Sequence, residues 1–398
     1  MFKYFLILAL GLFLAGLSAI GNFSFGATYD PWWSRVLTAS FEQTRIYLVS
    51  LFVAYASIYG LSGFAEKFRL LDMPDNNRKV HSEAKPLVGG LGIVAGVLVA
   101  LLLFFPVIKY MSLIISILLI LGVGVLDDRF DISFKWRFIV QITATVIVMH
   151  YFPGMHLRSF GNILGLGVIE TGLLVVPVTI FCTLGVINAV NMIDGLDGLA
   201  GTTSLLAFIS FAVLAWLNGM PSFMFLGIAF AGALAAFLRF NWHPSRLFMG
   251  DAGSMTIGFV LAFLAVELSQ KPGSVVFPVT VLLVLAVPVT DTLVVMTKRI
   301  MNGKSPFMPD KTHFHHLLRD MGFGHSGSVL IIMAISLLFS LLAIGATVLH
   351  VHESYLFGLF ACWFVFYFRS SQTMGGLFFC IGWLRRHAAG KPAPFIHV

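Results

Sequence analysis

The chain has 398 residues, 58% hydrophobic and only 11% charged, with a net charge of +7 and a mean hydropathy of +0.93. An ordinary water-soluble domain does not reach such values, so the chain is read as residing in a bilayer, with no nucleic acid expected among its partners. Its three cysteines, Cys182, Cys362 and Cys380, lack CxxC spacing, which argues against a thiolate metal site and a disulfide framework.

Apolar runs able to cross a hydrocarbon layer of roughly 30 Å recur along the whole sequence. They lie near 2–20, 45–63, 87–109, 112–126, 136–152, 171–189, 198–217, 222–238, 252–268, 275–295, 327–349 and 353–370. The expected fold is all-α: a polytopic membrane protein of about 11–12 transmembrane helices. The first run, "MFKYFLILALGLFLAGLSAI", has the Lys3 and apolar core of a signal peptide. No clear A-x-A site follows it, which favours an uncleaved helix. Residues 1–44 are read as an extra N-terminal segment with its following loop, 45–370 as the membrane-embedded unit, and 371–398 as a basic tail.

The first polar loop, "LLDMPDNNRKVHSEAKPLVGGLGI", puts Arg78, Lys79, His81 and Lys85 beside Asp72 and Asp75. Taken alone it reads as a topology determinant. Pro86 and the Gly89–Gly90 pair add a weaker sign of backbone held close to something. "GVLDDRFDISFKWR" then places Asp127 and Asp128 at the end of an apolar run, with Lys135 and Arg137 following. Adjacent carboxylates repel unless solvent or a cation relieves them, so both a surface turn and a divalent-cation or phosphate site fit.

"NAVNMIDGLDGLAG" repeats a polar residue every third position, at Asn188, Asn191, Asp194 and Asp197. Such residues fan over about half a helix circumference, and Gly195 and Gly198 put the last two carboxylates where the helix frays. Helix capping explains one or two of the four, not all. "FNWHPSRLFMGDAGSMTIGF" sets Asp251 between glycines at the start of another span, three residues after Phe248. It reads as an ordinary cap or as a metal ligand beside a stacked base.

The longest loop, "DTLVVMTKRIMNGKSPFMPDKTHFHHLLRDMGF", carries the densest titratable cluster: His313, His315 and His316 with Asp310, Lys311 and Arg299. A zinc site lacks an H-x-x-x-H pair or a cysteine here, and a structural role stays open. Hydrogen bonding to phosphate oxygens suits the cluster best. The hard oxygen donors and absence of thiolates favour Mg²⁺, with Mn²⁺ as the substitute, and so point to phosphoryl transfer.

Alternating the runs across the bilayer puts 20 of the 25 Lys and Arg on one face, which is therefore read as cytoplasmic. Thirteen of the 18 Asp and Glu fall on the same face. Acids contribute little to topology, so they need another reason, and a site assembled at the cytoplasmic mouth of the bundle supplies one.

"LDDRFDIS", "NxxNxxDGLDGL", "FMGDAGS" and "SPFxPDxxHxHH", occurring together and in this order, resemble the polyprenyl-phosphate N-acetylhexosamine-1-phosphate transferases. That superfamily also contains the phospho-MurNAc-pentapeptide translocase. The resemblance covers about residues 45–370. "PLVGG" and His-Phe-His-His look closer to the branch using UDP-N-acetylglucosamine and undecaprenyl phosphate than to the translocase, which tends to carry "PTMGG" and three consecutive His.

The resemblance implies attack of a lipid phosphate on the β-phosphorus of a UDP-N-acetylhexosamine, giving a lipid-pyrophosphoryl-sugar and UMP. This would be the first membrane step of a surface polysaccharide, in a bacterial inner membrane with the active site cytoplasmic. It implies Asp251 and Asn191 as the Mg²⁺ ligands, and Asp197 and Phe248 as uracil contacts. Asp127 and Asp128 match the acids that deprotonate or orient the lipid phosphate. Arg137 falls on the pyrophosphate, His313, His315 and His316 on phosphate and sugar, and Asp72 on another acid of the first loop. Asp194 is expected among the catalytic groups, and Lys85, Asn188, Arg299 and Asp310 among the substrate contacts. Which N-acetylhexosamine is used, and whether the chain is a homodimer, stay open at this level. The MurNAc-pentapeptide donor is the alternative within the chemistry and a membrane transporter the alternative class, although a carrier places its charges near the midplane in paired repeats.

Overall fold

The structure, a computed structural model, describes residues 32–73, 84–303, 305 and 313–372, with only the backbone path for 32–40. The first apolar run, the tail after 372 and Asp310 lie outside the described residues. Eleven of the twelve runs contain helix. In chain order these are α1 (Trp32–Ser62), the short α2 (Ala65–Phe68), α3 (Gly89–Phe104), α4 (Val107–Phe130), α5 (Phe134–Tyr151), α6 (Val175–Ile193), α7 (Leu199–Leu217), α8 (Pro221–Asn241) and α9 (Gly250–Gln270). They are followed by α10 (Pro278–Val284), α11 (Ala286–Met301), α12 (Phe314–Asp320), α13 (His325–Val348) and α14 (Glu353–Gln372). Two small antiparallel pairs complete the described chain: β1 (Leu71–Asp72) with β2 (Lys85–Pro86), and β3 (Ser159–Gly161) with β4 (Ile169–Glu170).

The sequence count and the structure differ in two places. By length and hydropathy seven helices qualify as spans among the described residues, and the run at 275–295 is not one rod. It breaks into α10 and α11, bent by 85° at Leu285. The loop expected at the N-terminal side of residue 45 is helical from Trp32, so α1 runs through that boundary.

The core is organised around α9, whose central 18-residue window is entirely buried by protein. Helices α3, α4, α6, α7 and α10 pack against it. Lipid is as apolar as leucine, so helices in a bilayer gain little from burying apolar area and are held by close packing across small residues. The α9 contacts show this: a Cβ at Gly90 would collide with the backbone of Gly253, one at Gly124 with Ala252, and one at Gly258 would lie 2.7 Å from Ile187 Cα. With 21 residues, α9 runs about 30 Å between two ends of different character. At its C-terminal end Gln270 bonds the β3 backbone, donating to Ser159 O and accepting from Ser159 N. At its N-terminal end stand Asp251 and the other acids.

Candidate functional site

Asp251 occupies the first turn of α9, and two other segments fix that turn. Asp128, near the end of α4, accepts hydrogen bonds from the Asp251 and Ala252 amides at 2.8 and 3.2 Å. It thus caps the helix, satisfying two of the amide groups that a helix start leaves unpaired. Gly250 permits this approach: its φ is +73°, and a Cβ there would sit 2.5 Å from Asp128 Oδ2. The 86–90 segment pairs with the chain just before α9, where Phe248 N donates to Pro86 O, Gly89 N to Phe248 O, and Gly90 N to Met249 O. The "PLVGG" run therefore holds "FMGD" by its backbone, the close approach that the glycine pair hinted at.

Around Asp251 the acids are linked through one guanidinium. Arg137 donates to Asp127 Oδ2 at 2.7 Å and to Asp251 Oδ2 at 3.0 Å. Asn191, near the end of α6, donates through Nδ2 to Asp251 Oδ1 and Ser254 Oγ, both at 2.8 Å. Asp127 Oδ1 is buried with no hydrogen-bond partner among the described residues. Arg137 thus supplies positive charge where several carboxylate oxygens converge. An orphaned carboxylate oxygen, two further oxygens on Asp251 and a neighbouring amide form a hard donor set without sulfur or imidazole, which fits Mg²⁺ or Mn²⁺.

A second group lies on the turn between α6 and α7, as the glycines there required: α6 stops at Ile193 and α7 starts at Leu199, with Gly198 at φ +82°. Asp197 Oδ2 accepts from His243 Nδ1 at 2.9 Å and from Ser245 N at 3.1 Å, and Oδ1 accepts from Ser245 Oγ at 2.8 Å. Lys85 Nζ donates to the same Ser245 hydroxyl at 2.8 Å and lies 4.8 Å from the centre of the Phe248 ring. Loss of water pushes the Asp197 carboxyl up, but the hydrogen bonds from His243 and Ser245 and the charge of Lys85 outweigh it and hold the group below the usual carboxylate range. The His243 and His325 rings stack at 4.0 Å, and Asp197, His243 and His325 bring their ligand atoms within 4.8 Å of one another. Asp72 sits across the β-pair from Lys85.

The histidines form a third group on α12. His313 Nδ1 is 2.9 Å from Asp291 Oδ2, and Phe314 N donates to Asp291 Oδ1 at 2.8 Å. His313 and His315 lie parallel at 5.8 Å, and His315 and His316 are 4.2 Å apart. Burial, reinforced by His316, pushes His315 down to about 3, and burial also lowers His316. Burial thus disfavours the charged form of both rings and favours their use as hydrogen-bonding groups.

The 194–197 turn joins the three groups. The Asp194 carboxyl is pushed up to about 7, first by loss of water and then by the charges of Asp251, Asp128 and Asp197. On its other side a Cβ at Gly195 would lie 2.5 Å from His315 Nε2. Two further residues are expected among the substrate contacts. Asn188 turns its amide back to Leu184 O of its own helix at 2.7 Å, the brace that a polar residue makes inside a helix. Arg299 is buried near the end of α11. The sequence reading passed over His243, Ser245, Asp291 and Tyr367. A histidine beside proline, a serine and a lone acid inside an apolar run carry no local pattern, and only the fold shows what they touch.

Residues 110–269 match the family model described as glycosyl transferase family 4. The chain is 35% identical over 339 residues to the undecaprenyl-phosphate alpha-N-acetylglucosaminyl 1-phosphate transferase of Yersinia pestis, covering 84% of this chain and 91% of that protein. It is 34% identical over 314 residues to the protein of the same name from Escherichia coli K12, covering 77% and 84%.

Proposed function

The chain belongs to glycosyl transferase family 4, and from that premise we propose that it transfers N-acetylhexosamine-1-phosphate, GlcNAc-1-phosphate in the first instance, from a UDP-sugar to undecaprenyl phosphate. The setting is a bacterial inner membrane with the site on its cytoplasmic face, the side to which the basic loops point, and the reaction opens the assembly of a surface polysaccharide. The observation that carries this reading is the linkage of Asp127, Arg137, Asp251 and Asn191, from four separate helices, through hydrogen bonds of 2.7–3.0 Å beside the histidine helix. A carrier would need such charges at mid-membrane, whereas these lie at the helix ends.

A phosphate oxygen of the lipid attacks the β-phosphorus of the UDP-sugar. The bond from that phosphorus to the bridging oxygen breaks, and the electron pair leaves with UMP. Two anions, each of about −1.5 to −2 by analogy with phosphomonoesters, must meet for this to happen. Mg²⁺, or Mn²⁺ in its place, held by Asp251 and Asn191 with Asp127 adjacent, would supply the charge neutralisation that such transfers depend on. Asp127, whose Oδ1 has no hydrogen-bond partner among the described residues, orients the lipid phosphate, while Asp128 keeps the α9 turn in place. Arg137 shifts its positive charge from the carboxylates to the pyrophosphate. Asp197, fixed by His243 and Ser245, accepts from the uracil. The base stacks on the Phe248 ring, an aromatic contact of about 1–3 kcal/mol.

The test uses purified protein with undecaprenyl phosphate and a panel of UDP-N-acetylhexosamines, including the MurNAc-pentapeptide donor, scored by lipid product. UDP-GlcNAc is expected to lead the panel. Asp251→Asn and Asp197→Asn are expected to lose most turnover while melting like the parent, and EDTA to abolish the parent's turnover. Near-parental turnover by either variant, or full turnover in EDTA, would overturn the assignment of those residues.

A further inference from the structure

The buried carboxylate beneath the histidine helix has no part in the reaction proposed above. Asp291, 2% exposed on α11, accepts three hydrogen bonds: from His313 Nδ1, from Phe314 N, and from Tyr367 OH at 2.6 Å. Phe314 is wedged between Tyr367 and Trp363, with ring centres at 5.0 and 6.2 Å, and Trp363 Nε1 donates to Thr290 Oγ1 beside Asp291. Helix α12 is thereby anchored to α11 and α14 at the residue between two histidines. Burying a carboxylate costs several kcal/mol before its partners repay it, and an apolar residue of like volume often serves stability as well. The arrangement calls for a use beyond holding helices together.

We propose that Asp291 is the positioning residue for His313 and that Tyr367 tunes it, an inference that rests on the transferase reading above. An imidazole whose Nδ1 faces a carboxylate keeps its proton there, so Nε2 becomes the nitrogen whose protonation varies. Among the described residues His313 Nε2 has no hydrogen-bond partner. With a proton on it, Nε2 donates to a phosphoryl oxygen of the substrates, and the Asp291 charge stabilises the imidazolium that does so. His315 lies parallel to His313 at 5.8 Å, with His316 tilted against His315 at 4.2 Å, and the two serve as hydrogen-bonding walls. Among the described residues the titratable groups tied to His313 are Asp291 on α11, which Tyr367 on α14 also bonds, and His315 and His316 on α12, with Arg319 and Asp320 acting on those two histidines.

The two partners of the carboxylate give opposite signs. Asp291→Asn removes the charge, so the alkaline limb of the kcat/KM profile should move to lower pH, with kcat down about tenfold to a hundredfold and donor KM nearly unchanged. Tyr367→Phe removes a donor that competes with His313 for Asp291, so the same limb should move to higher pH. Asp291→Glu should recover part of the lost kcat. A shift of that limb in the same direction in both variants, or variants that differ from the parent only in melting temperature, would overturn the proposal. A readout independent of turnover is the ¹⁵N spectrum of histidine-labelled protein, with His313 assigned by its loss in His313→Gln. The Nδ1–H tautomer is expected, and the Nε2–H tautomer would refute the inference even in a fully active enzyme. An inactive parent with the Nδ1–H tautomer would fault the transferase reading instead.

Discussion

Adjacent acids in this site do different work. Asp128 spends its oxygens on the amides that open α9, while Asp127 faces Arg137 with one oxygen and leaves the other without a partner among the described residues. The sequence showed the pair and the reason it is unusual, but the division between capping and chemistry depends on which carboxylate meets the helix start. Asp194 likewise was legible as a polar residue at a fraying end, yet its proton affinity comes first from burial and then from Asp251 and Asp128, both distant in sequence, and from Asp197 on the same turn. Its folded-state carboxyl, at about 7, lies above the ordinary value of about 3.9, so between those values the native state holds a proton that the unfolded chain has released. Stability from this group therefore falls as pH rises from about 4 through 7. In EDTA, melting temperatures followed from pH 5 to 8 should drop more steeply for the parent than for Asp194→Asn, the two curves diverging at the alkaline end. Parallel curves would show that Asp194 does not feel its neighbours.

At the scale of elements, helix existence was readable from apolar runs, because a segment in lipid has to satisfy its backbone internally. What escaped was the bend at Leu285 and which glycines matter. Gly122 and Gly124 stand two residues apart on α4 in the same "GVGV" run. A Cβ at Gly122 meets nothing within 4 Å, whereas one at Gly124 collides with the Ala252 backbone, which cannot rotate away. Gly122→Ala should be neutral or stabilising by up to about 1 kcal/mol, since alanine favours helix. Gly124→Ala should destabilise by about 1–3 kcal/mol, the ordinary cost of overpacking. Thermal unfolding in detergent separates the two, and equal effects would mean that α4 and α9 are not in backbone contact. Because Asp128 caps α9 from the end of α4, Gly124→Ala should also lower turnover at temperatures where the protein stays folded.

For the whole molecule, five polar segments spread over more than two hundred residues gather at one end of α9, while its other end carries the β3–β4 pair. The sequence carried the gathering in outline, because charged groups in lipid are costly and these recur between spans on one inferred face. It did not carry the inner support, from His243, Ser245, Asp291 and Tyr367, since none of these stands out from its neighbours until helices far apart in the chain are brought together. On the proposed reading the site brings a membrane-borne phosphate to a nucleotide-sugar, and the central claim concerns which bond of that donor breaks. Purified protein given undecaprenyl phosphate, Mg²⁺ and UDP-N-acetylglucosamine should release UMP in step with the lipid product, because the β-phosphate travels with the sugar. Release of UDP, leaving a lipid that carries the sugar on a single phosphate, would contradict it.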